Sequence, residues 1–257
     1  QVVYYVVSYL ELVTTDKIKL GDKVNFVVPT GNFGNILAGY YAEQIGLPVN
    51  KLICASNNNN VLYDFLKTGV YDKNRDFLKT VSPSMDILIS SNLERLLYYV
   101  SGCDNAYVAS LMKDLKETGR FEVTKEILNR IQEKFQTGFA DDLDTKQTIK
   151  KIYEKDSYLL DTHTAVAYKV LLDNLDKEHV NVVLSTASPY KFTESVYTSL
   201  NEATNEDEFT LMNKLHEQTK VAIPENLKDL DKKEIRHKDV INKNEMKKYI
   251  LEKLGDL

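Results

Sequence analysis

The segment Val24–Ile45 constrains the fold more than any other stretch. Val24-Asn25-Phe26-Val27-Val28 is a short β-branched run, the composition of a strand buried on both faces in a parallel sheet. Pro29 ends it, because proline has no amide to carry the ladder onward. Thr30-Gly31-Asn32-Phe33-Gly34-Asn35 follows. Ile36, Leu37, Tyr40, Tyr41 and Ile45 then recur at helical spacing until Gly46 and Pro48 close the helix. A strand that empties through a glycine turn into a helix exposes backbone N–H groups at the helix's positive end, a ready anion site. Gly31 and Gly34 remove Cβ obstruction and permit unusual dihedrals. The spacing fits neither the Walker A loop nor the dinucleotide fingerprint. An ordinary strand–helix turn shows the same Gly-x-x-Gly pattern, so the turn alone leaves both readings open.

The pattern repeats. Lys51–Ala55 reads as a second buried strand, Asn57–Asn60 as a polar turn, and Val61–Lys67 as a helix closed by Gly69. Two strand–turn–helix units predict an α/β fold, a parallel sheet flanked by crossover helices. A further strand, Val180–Leu184, empties into Ser185-Thr186-Ala187-Ser188-Pro189, and Asp161-Thr162 has the form of a cap for a helix through Leu172. Ser91-Asn92-Leu93-Glu94 has the capping-box form at the head of Leu93–Val100. Val2–Val13 is apolar almost throughout; its length favours a buried helix and its valines favour a strand. Leu111–Tyr158 is charged and helical in pattern, with turn signals at Thr118-Gly119 and Thr137-Gly138. The expected organisation is an α/β domain over residues 1–200 with a helical insertion at about 104–158, then an acidic, Lys-rich helical tail over 201–257. A chain that opens at Gln1 inside an apolar run reads as a domain incomplete at its N-terminus.

Charge excludes some functions. Lys plus Arg total 33 against 38 for Asp plus Glu, interspersed, with a net charge of −5, so there is no clustered cationic face for nucleic acid. Cys54 and Cys103 are far apart and lack CxxC spacing, which argues against a disulfide framework or a metal site and fits a reducing cytoplasm. Val2–Val13 falls short of the roughly 20 apolar residues that span a bilayer, so no membrane partner is expected.

Several motifs carry a resemblance. Val27-Val28-Pro29-Thr30-Gly31-Asn32-Phe33-Gly34-Asn35, with Ile36-Leu37-Ala38-Gly39-Tyr40-Tyr41-Ala42 after it, resembles the cofactor phosphate loop of threonine synthases. These are pyridoxal-phosphate enzymes of the tryptophan-synthase-β fold type. Ile53-Cys54-Ala55-Ser56-Asn57, Ser82-Pro83-Ser84-Met85-Asp86-Ile87, Ser90-Ser91-Asn92-Leu93-Glu94-Arg95, His163-Thr164-Ala165-Val166 and Ser185–Phe192 resemble the family in the same order. The likeness runs from about Gln1 to Phe192, with a looser helical tail.

The resemblance implies roles. Main-chain amides across Gly31, Asn32, Phe33, Gly34 and Asn35 would bind the phosphate of pyridoxal 5'-phosphate, with the Asn32 and Asn35 side chains fixing the loop. Thr186 would offer a hydroxyl to the pyridine nitrogen. Ser84, Asn92 and Arg95 would meet the carboxylate or phosphate of O-phospho-L-homoserine. His163 is expected to bond a backbone carbonyl rather than act in the site, and Lys191 lies in a segment the family does not use as its Schiff-base lysine. That lysine stands in a Phe-Lys-Asp segment upstream of the phosphate loop, and no such segment is present, so it is expected upstream of Gln1 in a missing N-terminal portion. No catalytic residue is therefore assigned, and the chain alone is expected to be inactive. Two departures touch the site: Ser188 stands where the family has His, and Thr162 where it commonly has Pro. The alternatives are a non-catalytic paralogue that binds a phosphometabolite or the cofactor, and another lyase or deaminase of the same fold type.

Overall fold

In the computed structural model, which describes residues 1–255, α1 (Val2–Thr14) leads into β1 (Val24–Pro29), α2 (Gly34–Gln44), β2 (Val49–Ser56) and α3 (Val61–Thr68). Then come β3 (Val70–Asp72), α4 (Leu93–Val100), α5 (Asn105–Thr118), β4 (Arg120–Glu122), α6 (Lys125–Lys134) and β5 (Phe135–Phe139). After α7 (Asp142–Asp156) and α8 (Thr162–Asp173) the chain forms β6 (Val180–Val183), α9 (Thr193–Leu200), α10 (Glu208–Thr219) and α11 (Met246–Gly255). The four-stranded sheet has the order β5-β2-β1-β6, and every pair is parallel. This is the parallel sheet flanked by helices that the strand–turn–helix repeats predict.

Alternation along β1 divides the core. Val24, Phe26 and Val28 face a cluster built with Tyr5, α2 and α3, while Val27 faces a second cluster with Val166, Ala167 and Val170 of α8. Both faces are covered, so all six residues of β1 are buried. Full burial of a side chain such as Phe26 is worth about 1.5–3 kcal/mol. Asn25 is the polar exception in the strand. Its side chain donates to Asp176 Oδ2 (3.0 Å) and Asn181 Oδ1 (3.0 Å) and accepts from Asn50 (2.9 Å), so its burial leaves no group unpaired.

Three expectations are corrected. Val2–Val13 is a helix, but only Tyr5 and Tyr9 of it are buried, whereas Val3, Tyr4, Val7 and Leu10 are exposed. A run apolar on every side carries no mark of which side meets the core. The insertion at about 104–158 is not wholly helical: it contains β4, paired antiparallel with β3, and β5, an edge strand of the main sheet. Thr137-Gly138 therefore lies within a strand rather than a turn. A Cβ on Gly138 would stand 2.7 Å from Val170 Cγ1, so the glycine serves the close approach of α8. Ser91–Glu94 forms no capping box, and no side chain caps the head of α4. The chain divides into compact units 1–222 and 223–257, and α10, which buries Leu211, Met212 and Leu215, belongs to the first.

The second unit holds short 3-10 turns and α11, with a capping box between Asn242 and Glu245. Among the described residues, no helix is long and apolar enough to cross a membrane.

Candidate functional site

Chain order places the site. From β1 the sheet grows one way through β2 to β5, and then the chain returns to add β6 on the other side of β1. Loops leaving neighbouring parallel strands in opposite senses part from one another, and a crevice opens beyond their C-terminal ends. Here those loops are Thr30–Phe33 after β1 and Leu184–Ser188 after β6. A cleft of about 320 Å³ lies there, lined by Gly31–Asn35 and Thr186 together with Ser84, Met85 and His163. Gln1, Pro29 and Thr30 complete its wall.

The loop is held from both sides. Thr30 continues the sheet by one step, its amide donating to Ala55 O at 2.8 Å and its hydroxyl to Val28 O at 2.7 Å. Phe33 then takes a left-handed backbone, φ 62° and ψ 4°, just ahead of α2. This conformation costs an L-residue on the order of 1–2 kcal/mol. Burial of the ring, with its centroid 5.6 Å from that of Phe135, offsets the cost. The unusual dihedral expected of the glycines thus sits on Phe33, because neither Gly31 nor Gly34 has a positive φ. Gly31 is needed for space: a Cβ there would lie 3.0 Å from Met85 Cα and 3.2 Å from Ser84 O.

Among the described residues, no protein acceptor takes the amides of Gly31 to Ile36; Leu37 is the first to bond back, to Phe33 O at 3.1 Å. These are the free donors of a helix N-terminus and the turn before it. Tyr5 Oη lies 2.8 Å from the Asn35 carbonyl oxygen and 3.0 Å from Asn35 Oδ1, either of which accepts its proton. The Asn32 side chain has only a long contact, 3.4 Å, from Ser91 Oγ.

The facing wall is the segment Ser82–Asp86, pinned by a buried polar network. Asn57 and Asn59 donate to Asp86 Oδ1 at 2.8 and 2.9 Å, and Thr80 donates to the same carboxylate through its amide and hydroxyl. Asn57–Asn60 is thus an anchor for the wall rather than a plain solvated turn. The Ser84 amide donates to His163 Nε2 at 3.1 Å. His163 accepts from a backbone amide and does not bond a backbone carbonyl, as its place in the sequence suggested. It lines the cleft, and the Phe192 ring lies 4.5 Å away between centroids. Asp161 fixes the turn that carries it, accepting from the amides of His163 (2.8 Å) and Thr164 (3.2 Å) and from the Thr164 hydroxyl. Burial pushes the Asp161 carboxyl up, but the hydrogen bonds from His163 and Thr164 outweigh it and hold the group below its ordinary range.

Ser84 and Thr186 therefore share the cleft with the phosphate-type loop, and both are exposed. Asn92 lies beside the loop, its Nδ2 donating to Asn32 O at 2.9 Å and its Oδ1 accepting from Arg95 at 2.7 Å. Arg95 lines a separate cleft with Tyr41, Tyr98 and Tyr99. Lys191 holds its Nζ 5.4 Å from the Phe192 ring centroid and does not line the main cleft. Of the two departures, Ser188 caps a 3-10 turn by accepting from the Tyr190 amide (3.3 Å), and the Thr162 hydroxyl lies 3.3 Å from His163 Nδ1. His163 and Met85 are among the cleft residues that the sequence did not assign to the site, as are Gln1, Pro29 and Thr30. The helix-capping Asp161, two residues before the histidine, is the signal that would have tied His163 to a fixed position.

Residues 164–250 match the family model described as threonine synthase, C-terminal. The chain matches the C-terminal portion of the threonine synthase family. It is 40% identical over 222 residues to threonine synthase of Saccharomyces cerevisiae, covering 80% of this chain and 43% of that protein. It is 41% identical over 202 residues to human threonine synthase-like 1, covering 78% of this chain and 27% of that protein. Among solved structures, the yeast threonine synthase aligns with a TM-score of 0.82 and 36% identity, covering 100% of this chain and 52% of that one. A pyridoxal-phosphate-bound threonine synthase from Brucella melitensis aligns with a TM-score of 0.74 and 41% identity, covering 82% of this chain and 45% of that one. The chain thus spans less than half the length of these curated relatives.

Proposed function

We propose that this chain forms the phosphate-binding half of a pyridoxal-phosphate-dependent threonine synthase. The observation that supports it most is the run of free amides from Gly31 to Ile36 at the head of α2, where the loop lines the cleft. None of the lining residues is an acidic side chain, so the helix terminus acts on an anion without competition. The residues present fit the cofactor: amides for its phosphate, and the Thr186 hydroxyl, which would accept or donate at the ring nitrogen. When bound, pyridoxal phosphate supplies an electron sink for charge that develops on substrate carbon. The chain's own groups bind and orient. Ser84 offers its hydroxyl to the substrate, and His163 holds Ser84 in place through its amide.

The reaction proposed for the full-length enzyme takes O-phospho-L-homoserine and water to L-threonine and phosphate. Phosphate leaves the γ carbon and water adds at the β carbon. That chemistry needs a basic group able to take and return protons. No lysine lines the cleft among the described residues, and we place that group in the further length by which the relatives exceed this chain. The chain alone then binds cofactor but makes no threonine. Its two unpaired thiols suit a reducing cytoplasm.

Titration with pyridoxal phosphate, with pyridoxal lacking the phosphate, and with inorganic phosphate as competitor tests this reading. Pyridoxal phosphate is expected to bind saturably, to be displaced by phosphate, and to exceed pyridoxal in affinity by at least tenfold. Equal affinity for the two would remove the phosphate loop from the account, and threonine formed by the chain alone would overturn the division of labour. Thr186→Ala, at an exposed position, is expected to lower turnover of the full-length enzyme while shifting stability by less than about 0.5 kcal/mol.

A further inference from the structure

Free amides bind an anion only if they point the same way, and something must aim them. A planar trans peptide fixes the C=O of one residue and the N–H of the next in opposite directions. Holding a carbonyl therefore aims the following amide. The structure shows two such holds on the loop, both from the strap Leu88–Asn92. Ser90 Oγ donates to Gly31 O at 2.8 Å, which turns the Asn32 amide away from the strap. The Asn92 amide (3.2 Å) and its Nδ2 (2.9 Å) both donate to Asn32 O, which turns the Phe33 amide likewise.

The strap is itself fixed. Tyr71 Oη accepts from the Ser90 amide at 2.8 Å and donates to Leu88 O at 3.0 Å. Tyr71 is buried and stacks on Phe121 with ring centroids 5.1 Å apart, so its hydroxyl has little freedom. Ser90 is also buried, and its hydroxyl and amide are both engaged within the protein. On the other side, the Asn92 carboxamide is taken up at both ends, by Asn32 O and Arg95 Nη1.

We infer that Ser90 and Asn92 are positioning residues that aim the Asn32 and Phe33 amides at a bound phosphate, with Tyr71 setting the strap. This assigns Asn92 to the loop rather than to the substrate. It rests on the phosphate reading of Gly31–Ile36 and goes beyond it by naming what orients the donors.

The test uses the full 257-residue chain, with Ser90→Ala, Ser90→Thr and Asn92→Ala beside the wild type. Each is titrated with pyridoxal phosphate and with pyridoxal, and thermal melting is recorded. Ser90→Ala and Asn92→Ala are expected to weaken pyridoxal phosphate by five- to twentyfold and to leave pyridoxal unchanged, and Ser90→Thr, which keeps the hydroxyl, to restore most of the loss. A merely structural role would weaken both ligands together or only lower the melting temperature. Wild type that prefers pyridoxal phosphate, with variants that keep that preference, overturns the inference and leaves the phosphate site standing. Wild type with no preference overturns both. Without ligand, Ser90→Ala should shift the Asn32 amide resonance in an NMR correlation spectrum, and an unmoved resonance would also refute the aiming role.

Discussion

Replacing Gly31 by alanine tests how tightly the loop and its facing wall are fitted. The added Cβ would stand 3.0 Å from Met85 Cα, 3.1 Å from Ile87 Cδ1 and 3.2 Å from Ser84 O. Carbon atoms pack best at about 3.5–4.0 Å, so the backbone of the wall must retreat by roughly half an ångström. It cannot do so freely. The Ser84 amide is bonded to His163, the Met85 amide to Ser82 O at 3.0 Å, and the Asp86 carboxylate to Asn57, Asn59 and Thr80. Overpacking against a pinned neighbour costs about 1–3 kcal/mol. Gly31 has no positive φ, so alanine adds no backbone strain and regains about 0.4–1 kcal/mol through the unfolded chain. The net expectation is a loss of about 1–2 kcal/mol, a fall in melting temperature of roughly 2–8 °C. Urea unfolding followed by circular dichroism gives the stability, and a pyridoxal phosphate titration reports whether the displaced wall reaches the cleft. Stability within 0.5 kcal/mol of wild type, with cofactor affinity unchanged, would show that the wall yields freely and that Gly31 is not required for space.

Asp161→Asn keeps an N-cap oxygen for the His163 and Thr164 amides but removes the carboxylate charge, and is expected to cost about 1 kcal/mol at pH 7, the difference between charge-assisted and neutral hydrogen bonds. Because the folded carboxyl lies below its unfolded value, its contribution is complete above the unfolded range and is lost as pH falls through the folded value. The gap between wild type and variant should therefore narrow in acid, and a gap that stays constant as pH falls below the ordinary carboxylate range in urea titrations would contradict the assignment. Cys54 is buried in β2, where burial pushes its thiol up to about 12, whereas Cys103 is exposed. A disulfide reagent should titrate one thiol in the native chain and two in denaturant, and rapid reaction of both in the native chain would show that β2 opens readily.

The sequence by itself determined β1, β2 and β6, the turns that follow them, and the resemblance to threonine synthases. Those features are local: a β-branched run, a proline stop and a glycine turn act within a few residues, and their joint order along the chain is specific. It also marked the loop Gly31–Asn35 and Thr186 as partners in one site. What the tertiary structure alone decided is how that loop is held. Which face of α1 meets the core depends on neighbours far along the chain, and so does the role of Gly138, which reads as a turn signal until α8 lies across it. The same is true of Phe33, whose left-handed backbone is tolerated because Phe135 receives its ring. The aim of the loop's amides is set by Ser90 and Asn92, some sixty residues away. The side chain to carbonyl bonds that do this are contacts between distant segments, and no periodicity or spacing encodes them.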